Sequence, residues 1–129
     1  MPVSWAIAIP LVAIGGAVGA ALRFIVAGAV TSWVGAAAPI GTLAVNLLGS
    51  FLMGIAAVGI ARAGTPMLAP LLMAGVLGGF TTFSAFALEM VGLLGHGATI
   101  RPVIYALASV IGTVLAVFVG LWVGRSLWP

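Results

Sequence analysis

Four long apolar stretches run along the chain, Trp5 to Trp33, Pro39 to Arg62, Pro66 to Leu94 and Pro102 to Arg125, separated by short breaks of small and polar residues. Each stretch exceeds the about 20 residues that a helix needs to cross a bilayer. The pattern predicts four transmembrane helices in one all-α integral membrane domain, residues 1–129. Prolines at or near three of the starts suit the first helical turn, where a missing N–H costs nothing. The first helix starts between Ser4 and Pro10. The connections GAAA, AGT and GHGATI have the length and composition of turns between antiparallel neighbours, with His96 exposed in the last. Trp5, Trp33, Trp122 and Trp128 fall near span ends, as in an aromatic belt. No basic segment precedes the first stretch and Arg23 comes only after its apolar run, which reads as a membrane span rather than a cleaved signal.

Polar residues interrupt the apolar pattern at regular intervals. Thr42, Asn46 and Ser50 are spaced i, i+4, i+8 on the second span, and Tyr105, Ser109 and Thr113 repeat the spacing on the fourth, so each set stacks along one helix face. Ser and Thr often bond their own i−4 carbonyls in membrane helices. An unpaired amide such as Asn46 costs roughly 2–7 kcal/mol in hydrocarbon, so it serves either as glue between helices or as part of a polar pathway. Ridges of small residues, Gly15 and Gly19 on the first span and Ala108, Gly112, Ala116, Gly120 and Gly124 on the fourth, let helices approach closely.

Composition narrows the function classes. Hydrophobic residues make up 64% of the chain and charged residues 4%, which excludes an ordinary soluble domain. One histidine, one acidic residue and no cysteine supply neither a paired acid and base nor a side-chain metal cage, which argues against an enzyme. The four arginines are scattered singly, so nucleic acid is no partner. Arg62 and Arg125 fall on one side of the membrane, Arg101 and, at greater depth, Arg23 toward the other. A chain with that balance has no charge preference for one orientation, which would permit an antiparallel homodimer with its two-fold axis in the membrane plane.

The stretch GGFTTFSAF, Gly78 to Phe86, is a poor recipe for an uninterrupted lipid-facing helix. Gly78-Gly79 near mid-span, followed by Thr81-Thr82 able to cap a restarting helix, predicts a third helix broken near its middle. Such backbone survives at membrane depth only where protein or a water-filled cavity satisfies it, and its carbonyls suit a cation. Phe80, Phe83 and Phe86 at three-residue spacing place their rings on a common, slightly drifting face.

The segments GGAVGAALRF from Gly15, GTLAVNLLGSFLMG from Gly41 and GVLGGFTTFSAF from Gly75, in this order in a four-span chain, resemble the Fluc (CrcB-type) fluoride channels of bacteria over essentially the whole length. The resemblance implies a passive fluoride-selective channel in the bacterial inner membrane, built as a dual-topology antiparallel homodimer with two pores. It implies a fluoride pathway lined by Phe83 and Phe86, with Asn46 and Thr42 on the second helix and Tyr105, Ser109 and Thr113 on the fourth. Arg23 would stand near the aqueous vestibule. A structural sodium ion would sit at the dimer centre on the carbonyls of Gly78 and Thr81 from both subunits. Ala85 departs from the family, which often has threonine there.

The residue chemistry agrees with an anion path. The Asn46 amide and the hydroxyls of Thr42, Ser109 and Thr113 are donors able to replace water around a small anion, and aromatic edges carry the positive side of the ring quadrupole. None of this separates fluoride from chloride; that choice rests on the resemblance. The competing reading is a small dual-topology proton-coupled exporter, which needs a carboxylate deep in a substrate cavity. The first two helices have none, and Glu89 reads as an interfacial or vestibule residue near the end of the third span.

Overall fold

The structure, a computed structural model, describes residues 3–35, 39–95, 97 and 99–129. His96, expected in an exposed loop, and most of the GAAA connection lie outside the described residues. Four helical segments are long and apolar enough to cross a membrane, Trp5–Val34, Ile40–Ala63, Pro70–Gly95 and Ile100–Leu127. The first, second and fourth are the continuous helices α1 (Trp5–Val34), α2 (Ile40–Ala63) and α5 (Ile100–Leu127). Within the third, Pro70–Leu77 winds as a π-helical segment, α3 covers Gly78–Phe80 and α4 covers Phe83–Gly95. Thr81 is extended (φ −86°, ψ 157°), and Thr82 lies outside both helices.

Local chemistry accounts for the ends. Gly64 takes the left-handed conformation (φ 61°) and returns its N–H to the Ile60 carbonyl, closing α2 in the way that glycine alone does without a Cβ penalty. Pro102 falls two residues inside α5, whose first residue is Ile100, within the first turn, where no intrahelical bond is lost. The irregular residues of the third span are the threonines; Gly78 itself is helical (φ −64°, ψ −37°). The glycines serve close approach: a Cβ on Gly79 would stand 2.7 Å from the Gly16 carbonyl oxygen.

The glycine ridges lie where the helices meet. α1 packs on the π-helical segment and α3, with Gly15 and Gly75 so near that a Cβ on Gly75 would reach the Gly15 Cα at 2.9 Å. α2 packs chiefly on α5, where a Cβ on Gly120 would overlap the Phe51 carbonyl. Small residues at both seams bring backbone against backbone and replace side-chain interdigitation with close van der Waals contact. Among the described residues the buried apolar side chains are few, Val45, Leu77, Phe80, Pro102 and Tyr105. Large outward residues such as Phe24, Phe118 and Trp122 stay exposed, as expected where lipid or another helix takes the place of a core.

Candidate functional site

Thr81-Thr82 is the structural centre of the site, because leaving the helix frees backbone groups that something must satisfy. Asn46 does so from α2. Its Oδ1 accepts the Thr82 N–H at 2.8 Å and its Nδ2 donates to the Thr82 carbonyl at 2.9 Å, so one side-chain amide satisfies both backbone groups of one residue. The Thr82 hydroxyl accepts the Ala85 N–H at 3.3 Å, the bond that a threonine N-cap makes to start a helix. On the preceding side the Thr81 N–H and hydroxyl both donate to the Leu77 carbonyl at 3.0 Å. Arg23, reaching across from α1, donates from Nε to the Gly79 carbonyl at 3.1 Å.

Beyond this point α4 carries Phe83, Phe86 and Glu89 toward α5. Phe83 and Phe86 stand 5.4 Å apart between ring centroids, and Phe86 stands 5.2 Å from Tyr105, both pairs tilted. Phe83 is 77% exposed. Phe80 is only 6% exposed and packs against Gly49 of α2. The three-residue spacing therefore does not give a common face: the extended Thr81 rotates Phe80 away from the other two rings. Glu89 joins three helices, accepting the Thr42 hydroxyl on Oε1 and the Tyr105 hydroxyl on Oε2, each at 2.6 Å.

Two cavities flank this arrangement. The larger, about 1270 Å³, is lined by α1 from Ala20 to Ser32 and by Thr42, Thr82, Glu89 and Arg101. The smaller, about 470 Å³, is lined by Asn46, Ser50, Phe83, Phe86, Ser109 and Thr113, with Gly78 and Thr81 at its edge. Thr82 borders both. The α2 ladder spans the pair, with Thr42 on the larger cavity and Asn46 and Ser50 on the smaller; on α5, Ser109 and Thr113 line the smaller, and Tyr105 packs tilted against Phe86 and donates to Glu89.

The expected donors reach the site in different states. Thr42 and Tyr105 each donate their hydroxyl hydrogen bond to Glu89, and the Thr113 hydroxyl donates to the Ser109 carbonyl of its own helix at 2.6 Å. Asn46 has one amide hydrogen committed to Thr82 and a second that this bond does not use. Ser109 Oγ is buried with no partner. Tyr105 stands one turn earlier on the same helix, and its hydroxyl donates to Glu89. A buried hydroxyl without a partner is rare, and this one faces the smaller cavity.

The family model for CrcB-like protein, Camphor Resistance (CrcB), matches residues 10–121. The chain belongs to the CrcB-like family. Among its CrcB-like relatives, "Fluoride-specific ion channel FluC" of Chelativorans sp. (strain BNC1) is 48% identical over 119 residues, covering 91% of this chain and 95% of the relative. The protein of the same name from Mesorhizobium japonicum is 47% identical over 118 residues, covering 91% and 95%. That from Magnetococcus marinus is 45% identical over 127 residues, covering 97% and 98%.

Within this CrcB-like chain, the structure brings Thr42 and Arg23 to the larger cavity and Asn46, Phe83, Phe86, Ser109 and Thr113 to the smaller, and ties Tyr105 to both only through Glu89 and Phe86. The sequence left Glu89 as an interfacial or vestibule residue without partners, and the structure places it on the wall of the larger cavity, bonded to Thr42 and Tyr105. The signal was present: Glu89 is the chain's single acidic side chain, and an ionisable residue within a span is a functional residue by default.

Proposed function

We propose that the protein is a fluoride-selective channel that lets the ion leave passively down its electrochemical gradient. The observation that carries the reading is the succession of polar groups from the larger cavity, past Thr42, Glu89 and Tyr105, to the buried, partnerless Ser109 hydroxyl on the wall of the smaller one. Its relatives' name, fluoride-specific ion channel, supplies the ion. In a bacterium such a multi-pass chain sits in the inner membrane.

Fluoride enters through the larger cavity, where Arg23 opposes Glu89 in sign. It passes the Phe83–Phe86 pair against ring edges, the positive side of the quadrupole. The free Asn46 hydrogen and the Ser109 hydroxyl replace part of its hydration shell. Phe83 stands exposed on one chain because the pathway is completed by a second copy. The functional unit is an antiparallel, dual-topology homodimer with two pores, which also covers the interrupted backbone of the third span. The carbonyls of Gly78 and Thr81 fit a sodium ion at the dimer centre: Thr82, Arg23 and Asn46 account for their neighbours, and outside the helical ladders no hydrogen bond reaches these two oxygens among the described residues. Thr81, extended at the end of α3, presents the kind of unwound carbonyl such an ion takes in membrane proteins, and the helical Gly78 stands about one turn before it. The bound ion would supply a fixed positive charge near the pores.

Glu89 lends one observation to the alternative, a proton-coupled exporter, since it is a carboxylate on a cavity wall. Efflux from liposomes separates the two. With no proton gradient, rapid fluoride release and little chloride release are expected; release that begins only when a pH gradient is imposed would replace the channel with the exporter.

A further inference from the structure

The polar ladder on α5 does not end at Tyr105. Arg101 stands four residues before it, so Arg101, Tyr105, Ser109 and Thr113 occupy one face at successive turns of α5. Arg101 lines the larger cavity together with Arg23 and Glu89. The three occupy different depths. Arg23 is engaged with the Gly79 carbonyl at the inner end, Glu89 is held by Thr42 and Tyr105, and Arg101 lies on the first turn of α5, about 6 Å outward from Tyr105 along the helix. The same end of the cavity is reached by Ser32 of α1 and Pro39 before α2, so Arg101 is at its mouth.

The chain contains one acidic side chain, and both of its oxygens are already bonded deeper in the cavity. Against the two arginines on the cavity wall, Arg23 and Arg101, that single carboxylate leaves a net positive charge. A cleft with low-dielectric walls and an uncompensated charge concentrates counter-ions at its mouth and raises their rate of entry.

We infer that Arg101 is the outermost element of the anion path, a charge that draws small anions into the cavity before they meet Arg23. The inference rests on the channel reading and deepens it. Arg101 acts on entry, at fluoride concentrations that do not saturate the pore, and leaves the selective part of the path untouched. A unit charge about one helical turn from the ion's route, in a medium close to water, changes local anion concentration on the order of three- to fourfold. Salt removes the effect, because the screening length falls from about 30 Å at 0.01 M to about 3 Å at 1 M.

Fluoride efflux from liposomes is measured for the unmodified protein, Arg101→Lys and Arg101→Gln at low ionic strength and again with sodium gluconate added to 1 M. Arg101→Gln is expected to lose about three- to fourfold at low salt and to converge with the unmodified protein at high salt, while Arg101→Lys retains the flux. The chain has no cysteine, which permits a second test on one folded protein: Arg101→Cys labelled in detergent with a cationic thiosulfonate reagent should outpace the same protein labelled with an anionic one. Equal flux for Gln and Arg at low salt, or for the two labels, would overturn the inference and leave Arg101 as a lipid-headgroup contact. Absence of fluoride flux in the unmodified protein would overturn the channel reading instead.

Discussion

A single hydroxyl distinguishes structural from conductive roles along this path. Most of the polar side chains at the site have an intramolecular use: Asn46 pairs with both backbone groups of Thr82, Thr42 and Tyr105 bind Glu89, and Thr113 binds its own helix. Their replacement disturbs folding and conduction together. Ser109 Oγ is buried and unpartnered, so its removal takes away a desolvated group that costs roughly 1–3 kcal/mol when unpaired. Ser109→Ala is therefore expected to keep or slightly raise thermal stability in detergent while lowering fluoride efflux several-fold. Undiminished efflux from a stable Ser109→Ala protein would remove the residue from the path.

At the level of elements, the seams between helices depend on glycine in a way that differs from position to position. A Cβ on Gly120 would overlap the Phe51 carbonyl, an atom of the α2 backbone that cannot turn aside, whereas a Cβ on Gly28 meets nothing within 4 Å. Gly120→Ala must push α2 and α5 apart, at a cost of about 1–3 kcal/mol for overpacking. Gly28→Ala should be neutral or add a few tenths of a kcal/mol through the better helix propensity of alanine. Melting curves of the two purified variants check the contrast, and equal stability would mean that the α2–α5 seam is looser than this packing. The third span follows the same logic, since Gly79 approaches Gly16 as part of a tight helical contact and Thr81-Thr82 carries the irregular backbone.

For the whole molecule, orientation is open to experiment because the arginines divide evenly between the two sides. Lysines placed at Thr65 and Ser126, on the side of Arg62 and Arg125, should drive insertion one way; lysines at Val34 and Thr99 should drive it the other. Each variant alone is expected to confer little fluoride efflux on cells, and coexpression of the two should restore it; full activity from either one alone would contradict the antiparallel pairing. Four spans, their boundaries to within a few residues and the polar ladders were legible in the chain because they depend on hydrophobic length and helical period, properties of consecutive residues. The glycine ridges were legible for the same reason. Three features belong to the tertiary structure: Glu89 bridging Thr42 and Tyr105, Phe80 turned away from Phe83 and Phe86, and Arg101 facing the cavity that Arg23 lines. Each depends on which helix faces which and on the rotation introduced at Thr81, and a residue's spacing along its own helix contains no information about the neighbour it will meet.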